Sequence, residues 1–442
     1  MDLKTFIICF RGVNNMLSID RIKIGGFRNI SNVEVETSDI TSLLSINSYG
    51  KSNYLNGIIF GMDFIHFPIE VKNRMMDYEP YKPFNSKILY QDFSFEIELS
   101  YNDEENIYQI IYGYTFSWKK EKNNEPEILD EYLKIKDGDS QKFTAYINRN
   151  KNKALYKSSP TGSCSKKINI EKNELVLNKI MAYDELYYLD LIKMINNVSV
   201  YVDKHFNTSS AYNVQTRVRK DFSDYSLSDD TNVPRILNKI KNDFPNKFEL
   251  IVNTIKDIFP FIQDIKTIEY NINSDELNKN IKTDNYVIAD NVYFLVALDK
   301  NIVKNIDFSS MSDGVRRVLL IFTTLVLADI NNYSLVGIEE PENSLNPKIL
   351  QRYLMALKGF SKNTKIIITS HSPYLINYME PKNIYLGLPN SDGLAKFSKI
   401  KERSVNKLLN DANNMDMLVG DYLFDLMSGN DEDLETMIKY VE

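Results

Sequence analysis

The chain has 442 residues, and 53 Lys and Arg against 60 Asp and Glu give a formal net charge of -7. Hydrophobic residues make up 43% and aromatics 12%, enough for a large core, so global disorder is excluded. Two cysteines and three histidines exclude a disulfide framework, a cysteine-rich zinc site and a His-rich metal site.

At roughly 150 residues per domain, two or three modules are expected. The longest apolar stretches, such as Val318 to Leu327, are too short to span a bilayer, and Met1 to Phe10 lacks the features of a signal peptide. A cytoplasmic protein with no membrane association is expected. Its net charge leaves room for a local basic patch.

Residues 1–15 read as an extension. From Met16, Leu17, Ile19, Ile22 and Ile24 have strand-like spacing, and Val33 and Val35 predict a second strand. Ile40 to Ile46 is a third, ending in the polar loop Asn47-Ser48-Tyr49-Gly50. From Lys51 to about Phe67 the spacing of Leu55, Ile58, Ile59 and Met62 predicts a helix. Phe93, Phe95, Ile97, Leu99 and Tyr101 alternate with polar residues, and Tyr108 to Phe116 is a second β-rich run, so a hairpin or meander is expected.

Residues 120–300 are less legible. They hold Lys/Asn-rich loops, helices near 176–200 and 232–258, and strands near 266–273 and 286–298. Prolines and the lack of sustained heptads argue against a long coiled-coil arm. After 300, helix Gly314–Ile330, strand Leu335–Ile338, helix Pro347–Leu357, strand Lys365–Thr369 and short helix Pro373–Met379 alternate, which predicts a mostly parallel sheet. Residues 401–442 read as a helical, acidic tail.

Four constellations carry chemistry. Ser45 to Ser52 ends in Gly50-Lys51-Ser52, between a strand and a helix. A phosphate-binding loop needs that setting, with Lys51 on the phosphates and Ser52 on Mg2+. An ordinary lysine at a helix start is the plain alternative. Leu335-Val336-Gly337-Ile338-Glu339-Glu340 delivers two carboxylates to a strand end, one for a metal and one for the attacking water; a solvated acidic turn is the alternative. Met311-Ser312-Asp313-Gly314 opens a helix, either as an anion site or as a plain cap. Ile366-Ile367-Ile368-Thr369-Ser370-His371 brings one histidine to the same sheet edge, where it could equally be structural.

The order and spacing of these pieces resemble an ABC-class P-loop ATPase of the OLD-like, SMC-related branch, within the AAA-type ATPases of bacterial anti-phage and abortive-infection systems. Glu339-Glu340-Pro341-Glu342 and Thr369-Ser370-His371-Ser372-Pro373 carry the resemblance, which covers roughly residues 16–120 and 300–390.

It implies an α/β ABC-type ATPase head, a mixed sheet with a P-loop, interrupted by an α/β insertion. The expected division is 1–15 extension, 16–120 P-loop lobe with an antiparallel β subdomain, 121–300 insertion, 301–400 second head lobe and 401–442 tail. ATP and Mg2+ are the implied cofactors, and ATP hydrolysis the implied activity. Asn47, Gly50, Lys51, Ser52 and Asn53 would bind nucleotide, with Arg28 a further contact. Ser52, Glu339 and Gln91 would serve the metal. Glu340 would be the catalytic carboxylate and His371 a γ-phosphate contact. Ser312 and Gly314 would act in trans in a homodimer or larger assembly. Ser45 for the first loop glycine, Met311 for a signature Leu, and Ser344-Leu345-Asn346-Pro347 for His-Leu-His-Pro are departures that remove no catalytic group.

OLD nucleases continue into a Toprim domain, for which too few residues follow the last head strand. A separate effector, a nuclease or toxin, is therefore expected. Lys142, Arg149, Lys151, Lys153, Lys157, Lys166, Lys167 and Lys172 face a single acid, Glu171, with Phe143, Tyr146 and Tyr156 interleaved. The run fits nucleic acid, an acidic partner or a solvated basic loop. The favoured reading is an ATP-driven switch in a defence module. A DNA-repair or DNA-clamping ATPase and a nucleotide-binding scaffold with little turnover are the alternatives.

Overall fold

The computed structural model describes residues 17–441, apart from 46–48, 103–106, 120–124, 139, 141, 184, 204–207, 220–224, 226–232, 273–285, 361–363 and 389–391. The expected extension at 1–15 and Asn47 lie outside the described residues. The chain divides into two compact units. One is drawn from Met1–Ser38, Ser48–Val200 and Gly387–Phe397, the other from Asp39–Asn47, Tyr201–Leu386 and Ser398–Glu442.

The first unit is built on an eight-stranded sheet. Its order is Ile30–Glu36, Leu17–Phe27, Phe93–Asn102, Ile107–Phe116, Ile128–Lys136, Thr144–Asn150, Lys153–Lys157 and Cys164–Lys167. Neighbouring strands in it pair antiparallel. The alternation at Phe93, Phe95, Ile97 and Leu99 puts those side chains inside, and the polar residues between them are half-buried. Helix Lys51–His66 covers that face. Phe60 and Phe64 pack against Phe93, Phe116 and Trp118 at ring separations of 4.7–6.2 Å. Gly61 permits the approach, because a Cβ there would fall 2.2 Å from the Phe95 ring.

The basic stretch 142–172, expected as loops, instead forms the last three strands of this sheet. They lie at the sheet's open end, half in water, so they lack the clean apolar alternation by which strands are read.

The second unit carries a six-stranded sheet in the order Val200–Asp203, Leu335–Glu339, Lys365–Ser370, Ile40–Leu44, Ile384–Gly387 and Phe397–Lys399. The four central strands are parallel. Ile40–Leu44 is buried throughout, the mark of a strand covered on both faces. Helix Asp313–Ile330, at 18 residues the longest described, is buried along almost its whole length. Helices Val233–Asp243 and Pro245–Ile258 pack with the three-stranded sheet Ile262–Asn271, Asn291–Asp299 and Ile306–Asp307.

The acidic tail is folded rather than loose. Helices Val405–Asn414, Val419–Ser428 and Asp431–Ile438 end with Tyr440 buried and with Val441 bridged to Ile400. Among the described residues no helix is long and apolar enough to cross a membrane.

Candidate nucleotide site

Parallel pairing fixes which residues leave the second unit's sheet together. Glu339 lies opposite Thr369, and Ser370 lies opposite Leu44. The start of the polar loop, Ser45, is fully buried, and its N–H donates to the Ser370 carbonyl at 3.4 Å. Ser45, His371 and the Glu339-Glu340 pair therefore emerge side by side at the carboxyl edge of three adjacent strands. In open α/β sheets that edge is where ligands bind.

Glu340 adopts the left-handed conformation at φ 46, unusual for a residue with a Cβ and costing on the order of 1–3 kcal/mol. Its N–H donates to the Thr369 carbonyl at 2.8 Å. Its carboxylate takes the Asn343 side-chain amide on Oε2 at 2.9 Å, and meets His371 Nδ1 on Oε1 at 3.2 Å. Both side chains are partly exposed, at 28% for Glu340 and 40% for His371, which leaves them open to a ligand.

Behind them Glu342 is buried, and burial pushes its carboxyl above the ordinary range while the Ser370 hydrogen bond pulls the other way. The Ser370 hydroxyl donates to Glu342 Oε1 and accepts the Ser372 N–H at 2.9 Å. This fixes the turn that carries His371.

Ser312 occupies the N-cap position of helix Asp313–Ile330, but its side chain makes no capping hydrogen bond. Gly314 has a local reason for its identity, since a Cβ there would sit 2.5 Å from the Ser344 carbonyl oxygen.

In the first unit, Gly50 caps helix Lys51–His66 at φ 115, ψ 9. A Cβ at Gly50 would meet Ala395 at 2.7 Å and Asn29 Oδ1 at 3.0 Å, so only glycine fits this tight approach. Lys51 starts the helix and is 7% exposed, whereas Ser52 faces outward. Arg28 donates to Asn53 Oδ1 at 2.7 Å, and Asn53 donates in turn to Asn29 Oδ1 at 2.8 Å. Arg28 also lies over the Tyr81 ring, 4.9 Å from its centre. The Tyr49 hydroxyl donates to the Leu388 carbonyl, and burial pushes its pKa up to about 12.

The first unit thus gathers Arg28, Gly50, Lys51, Ser52 and Asn53. The second brings Glu339, Glu340 and His371 to one sheet edge and carries Ser312 and Gly314 at the start of helix Asp313–Ile330. Gln91 is held by Ser31: its amide nitrogen donates to the Ser31 carbonyl at 2.6 Å and its amide oxygen accepts from the Ser31 hydroxyl at 3.2 Å, so a metal on that oxygen would compete with the hydroxyl.

Among the described residues no three His, Cys, Asp or Glu side chains converge on one point. In the first unit the Ser52 hydroxyl, and in the second the Glu339 carboxylate, are each hard oxygen donors of the kind Mg2+ takes.

Sequence patterns assigned no role to Asn29, Asn343, Glu342 or Arg317. Asn343 had a signal, since it follows Glu340 by one turn's length. Arg317 had none, because Arg316 beside it looks the same.

The basic run does not form one surface. Arg149 is buried and donates to the carbonyls of Glu171, Lys172 and Glu174. Lys151 pairs with Glu127 at 2.6 Å, and Lys157 is buried with its ammonium 4.7 Å from the Tyr146 ring centre. Lys142, Lys153, Lys166, Lys167 and Lys172 remain exposed. Lys166 and Lys167 border a cavity of about 770 Å³, with Lys179, Tyr156, Tyr183 and Asn169 around it.

A family model described as "AAA domain, putative AbiEii toxin, Type IV TA system" matches residues 47–377. The chain belongs to this AAA domain family. The match runs from the phosphate-loop segment to the helix after His371, so it contains all four constellations except the first residues of the loop. The chain is accordingly a protein of the AAA ATPase type.

Among solved structures it is similar to the SMC head domain from Thermotoga maritima, at 12% identity over 87% of this chain and 99% of that one, with a TM-score of 0.40. An SmcHead bound to the C-winged helix domain of ScpA shares 11% identity over 88% and 99%, at 0.47. An Smc head with an extended coiled coil, bound to the C-terminal domain of ScpA derived from Pyrococcus furiosus, shares 10% over 90% and 100%, at 0.43. No curated protein matches the chain. Its assignment to the AAA family rests on the family match.

Proposed function

We propose that the chain binds and hydrolyses ATP with Mg2+, works as a dimer or larger assembly of OLD-like heads, and uses the cycle to hold or release a separate effector in an anti-phage system. The observation that carries the ATPase reading is the shared sheet edge. There the loop start, the Glu339-Glu340 pair and His371 leave three adjacent parallel strands.

Phosphoryl transfer needs positioning and charge neutralisation more than covalent help from the protein. Lys51 and the backbone N–H groups at the start of its helix would hold the phosphates. Ser52 and Glu339 would hold Mg2+, which when bound neutralises charge on the phosphates. Glu340 would orient the attacking water and take its proton, and His371 would steady both Glu340 and the terminal phosphate. ATP-dependent phosphate release from the purified chain, lost in Lys51→Ala and Glu340→Gln, tests this. Wild-type turnover in Glu340→Gln would defeat it.

The defence role draws on the family description alone. It is tested by phage challenge of cells that carry the native gene neighbourhood with wild-type or Glu340→Gln protein. Equal protection by both would count against an ATP-driven switch.

A second reading, a DNA-clamping ATPase, is favoured by the cavity bordered by Lys166, Lys167 and Lys179. If it holds, DNA stimulates hydrolysis, and Lys166→Glu with Lys167→Glu abolishes the stimulation while leaving basal turnover intact.

A further inference from the structure

Arg317 sits within the second unit, one helical turn beyond Gly314 on helix Asp313–Ile330, and is 5% exposed. Its Nη2 lies 3.0 Å from the Asp203 carboxylate, itself 1% exposed. The same nitrogen donates to the main-chain carbonyl of Glu339 at 3.0 Å.

That carbonyl belongs to the peptide joining Glu339 to Glu340. The other polar atom of the same peptide, the Glu340 N–H, is held by the Thr369 carbonyl at 2.8 Å. A peptide is planar, so fixing its oxygen and its N–H fixes the whole plane. The plane in turn sets where the left-handed Glu340 aims its carboxylate. Glu340 stays at φ 46 only while its surroundings enforce it.

We infer that Arg317 is a positioning residue for Glu340, and that Asp203 holds Arg317 in place for that task. The inference rests on the ATPase reading and adds a means of control. Asp203 ends the edge strand Val200–Asp203, so a movement of that strand would release Arg317, then the Glu339-Glu340 peptide, then the carboxylate. Arg317 and the candidate signature residues share one helix, so engagement of Ser312 and Gly314 would act on the same peptide.

The test is steady-state hydrolysis by wild type, Arg317→Met, Arg317→Lys and Asp203→Asn. Rates are expressed per nucleotide-binding site, determined by titration with labelled ATP. Misplacing a reacting group by about 1 Å costs on the order of 100-fold, so Arg317→Met should lose about 10- to 100-fold in kcat. KM for ATP should stay within about threefold, because Arg317 holds no phosphate. Arg317→Lys should recover part of the loss, since an ammonium can still donate to both partners.

A purely structural role would reduce the number of binding sites and leave kcat per site unchanged, and that result overturns the inference. If Arg317→Met does not fold, Asp203→Asn carries the test, with the same fall in kcat expected and wild-type kcat overturning it. Absence of hydrolysis in the wild type defeats the ATPase reading and this inference with it. Wild-type kcat in Arg317→Met defeats only the inference.

Discussion

His371 Nδ1 lies 3.2 Å from Glu340 Oε1, so the histidine and the carboxylate at the sheet edge work as a contacting pair. Contacting residues are not independent, and their substitutions should not add. Glu340→Gln should lower kcat by roughly 100- to 1000-fold, and His371→Ala by about 10- to 100-fold, with ATP affinity retained in both. The double variant should be little worse than Glu340→Gln alone. Multiplication of the two losses, measured as phosphate release, would show that the contact has no part in turnover.

Hydrolysis should depend on association. Ser312 makes no capping bond of its own at the head of its helix, which suits a group that acts on the nucleotide of a second copy. Ser312→Arg and Lys51→Ala should each be inactive alone. Mixed in equal amounts they should regain part of the wild-type rate, because one site of a mixed dimer keeps both halves intact. Mixed dimers that form without any recovery would exclude action in trans.

Glu131 is the polar centre of the first unit. It is fully buried, takes the N–H groups of Val176 and Leu177 at 2.7 and 2.9 Å, and accepts the Tyr112 hydroxyl at 3.1 Å. Burial raises its pKa, and the two backbone donors and the nearby Arg149 pull it back. Removing such a carboxylate leaves its donors and Arg149 uncompensated, so Glu131→Ala should cost about 3–5 kcal/mol. Glu131→Gln keeps one acceptor and should cost less. Trp118, the single tryptophan, lies in this unit's core, so its fluorescence reports this unfolding directly.

Lys72 makes stability depend on pH on the alkaline side. It is 2% exposed, and burial lowers its pKa from 10.5 to about 8. The unfolded chain keeps this proton up to about pH 10.5, so between the two values it binds more protons than the folded chain, and stability rises with pH. Below about pH 8 both states are charged, and the cost of burying the ammonium is present in full. Relative to Lys72→Met, the wild type should therefore gain about 1–2 kcal/mol as pH rises from about 7.5 to about 9.5. Urea unfolding followed at Trp118 measures it. A difference that does not change with pH would mean that Lys72 stays charged throughout.

The parts of the fold that were legible are those where local sequence and burial agree. Ile366-Ile367-Ile368 and Leu335-Val336 are apolar on both faces, as central parallel strands must be, and Phe93 to Leu99 alternates as a one-sided strand must. The site was legible for a related reason, since each chemical group ends one of those strands or opens a helix. What stayed hidden were charges that look ready for water but are buried against distant partners. Arg149 reaches carbonyls more than twenty residues ahead, and Arg317 pairs with a carboxylate over a hundred residues behind. Arg316, its neighbour, stays local, pairing with Asp313 one turn away and donating to the Ser309 carbonyl at 3.1 Å. No local pattern separates the two arginines, because the difference lies in which face of the helix the rest of the chain covers.

The outermost strand of the antiparallel sheet, Cys164–Lys167, is only four residues long and ends in two exposed lysines. A sheet that stops in water displays a row of unmatched N–H and C=O groups, which invites another chain to add a strand. Short length and like charges are the usual guards against such growth, and this strand carries both in Lys166 and Lys167. This governs how the cavity beside them can be probed. Exchanging the lysines for apolar residues would strip the guard and favour aggregates, and any loss of nucleic-acid binding would then be uninterpretable. Glutamate at the same positions reverses the attraction to phosphate while the rim still repels its own kind.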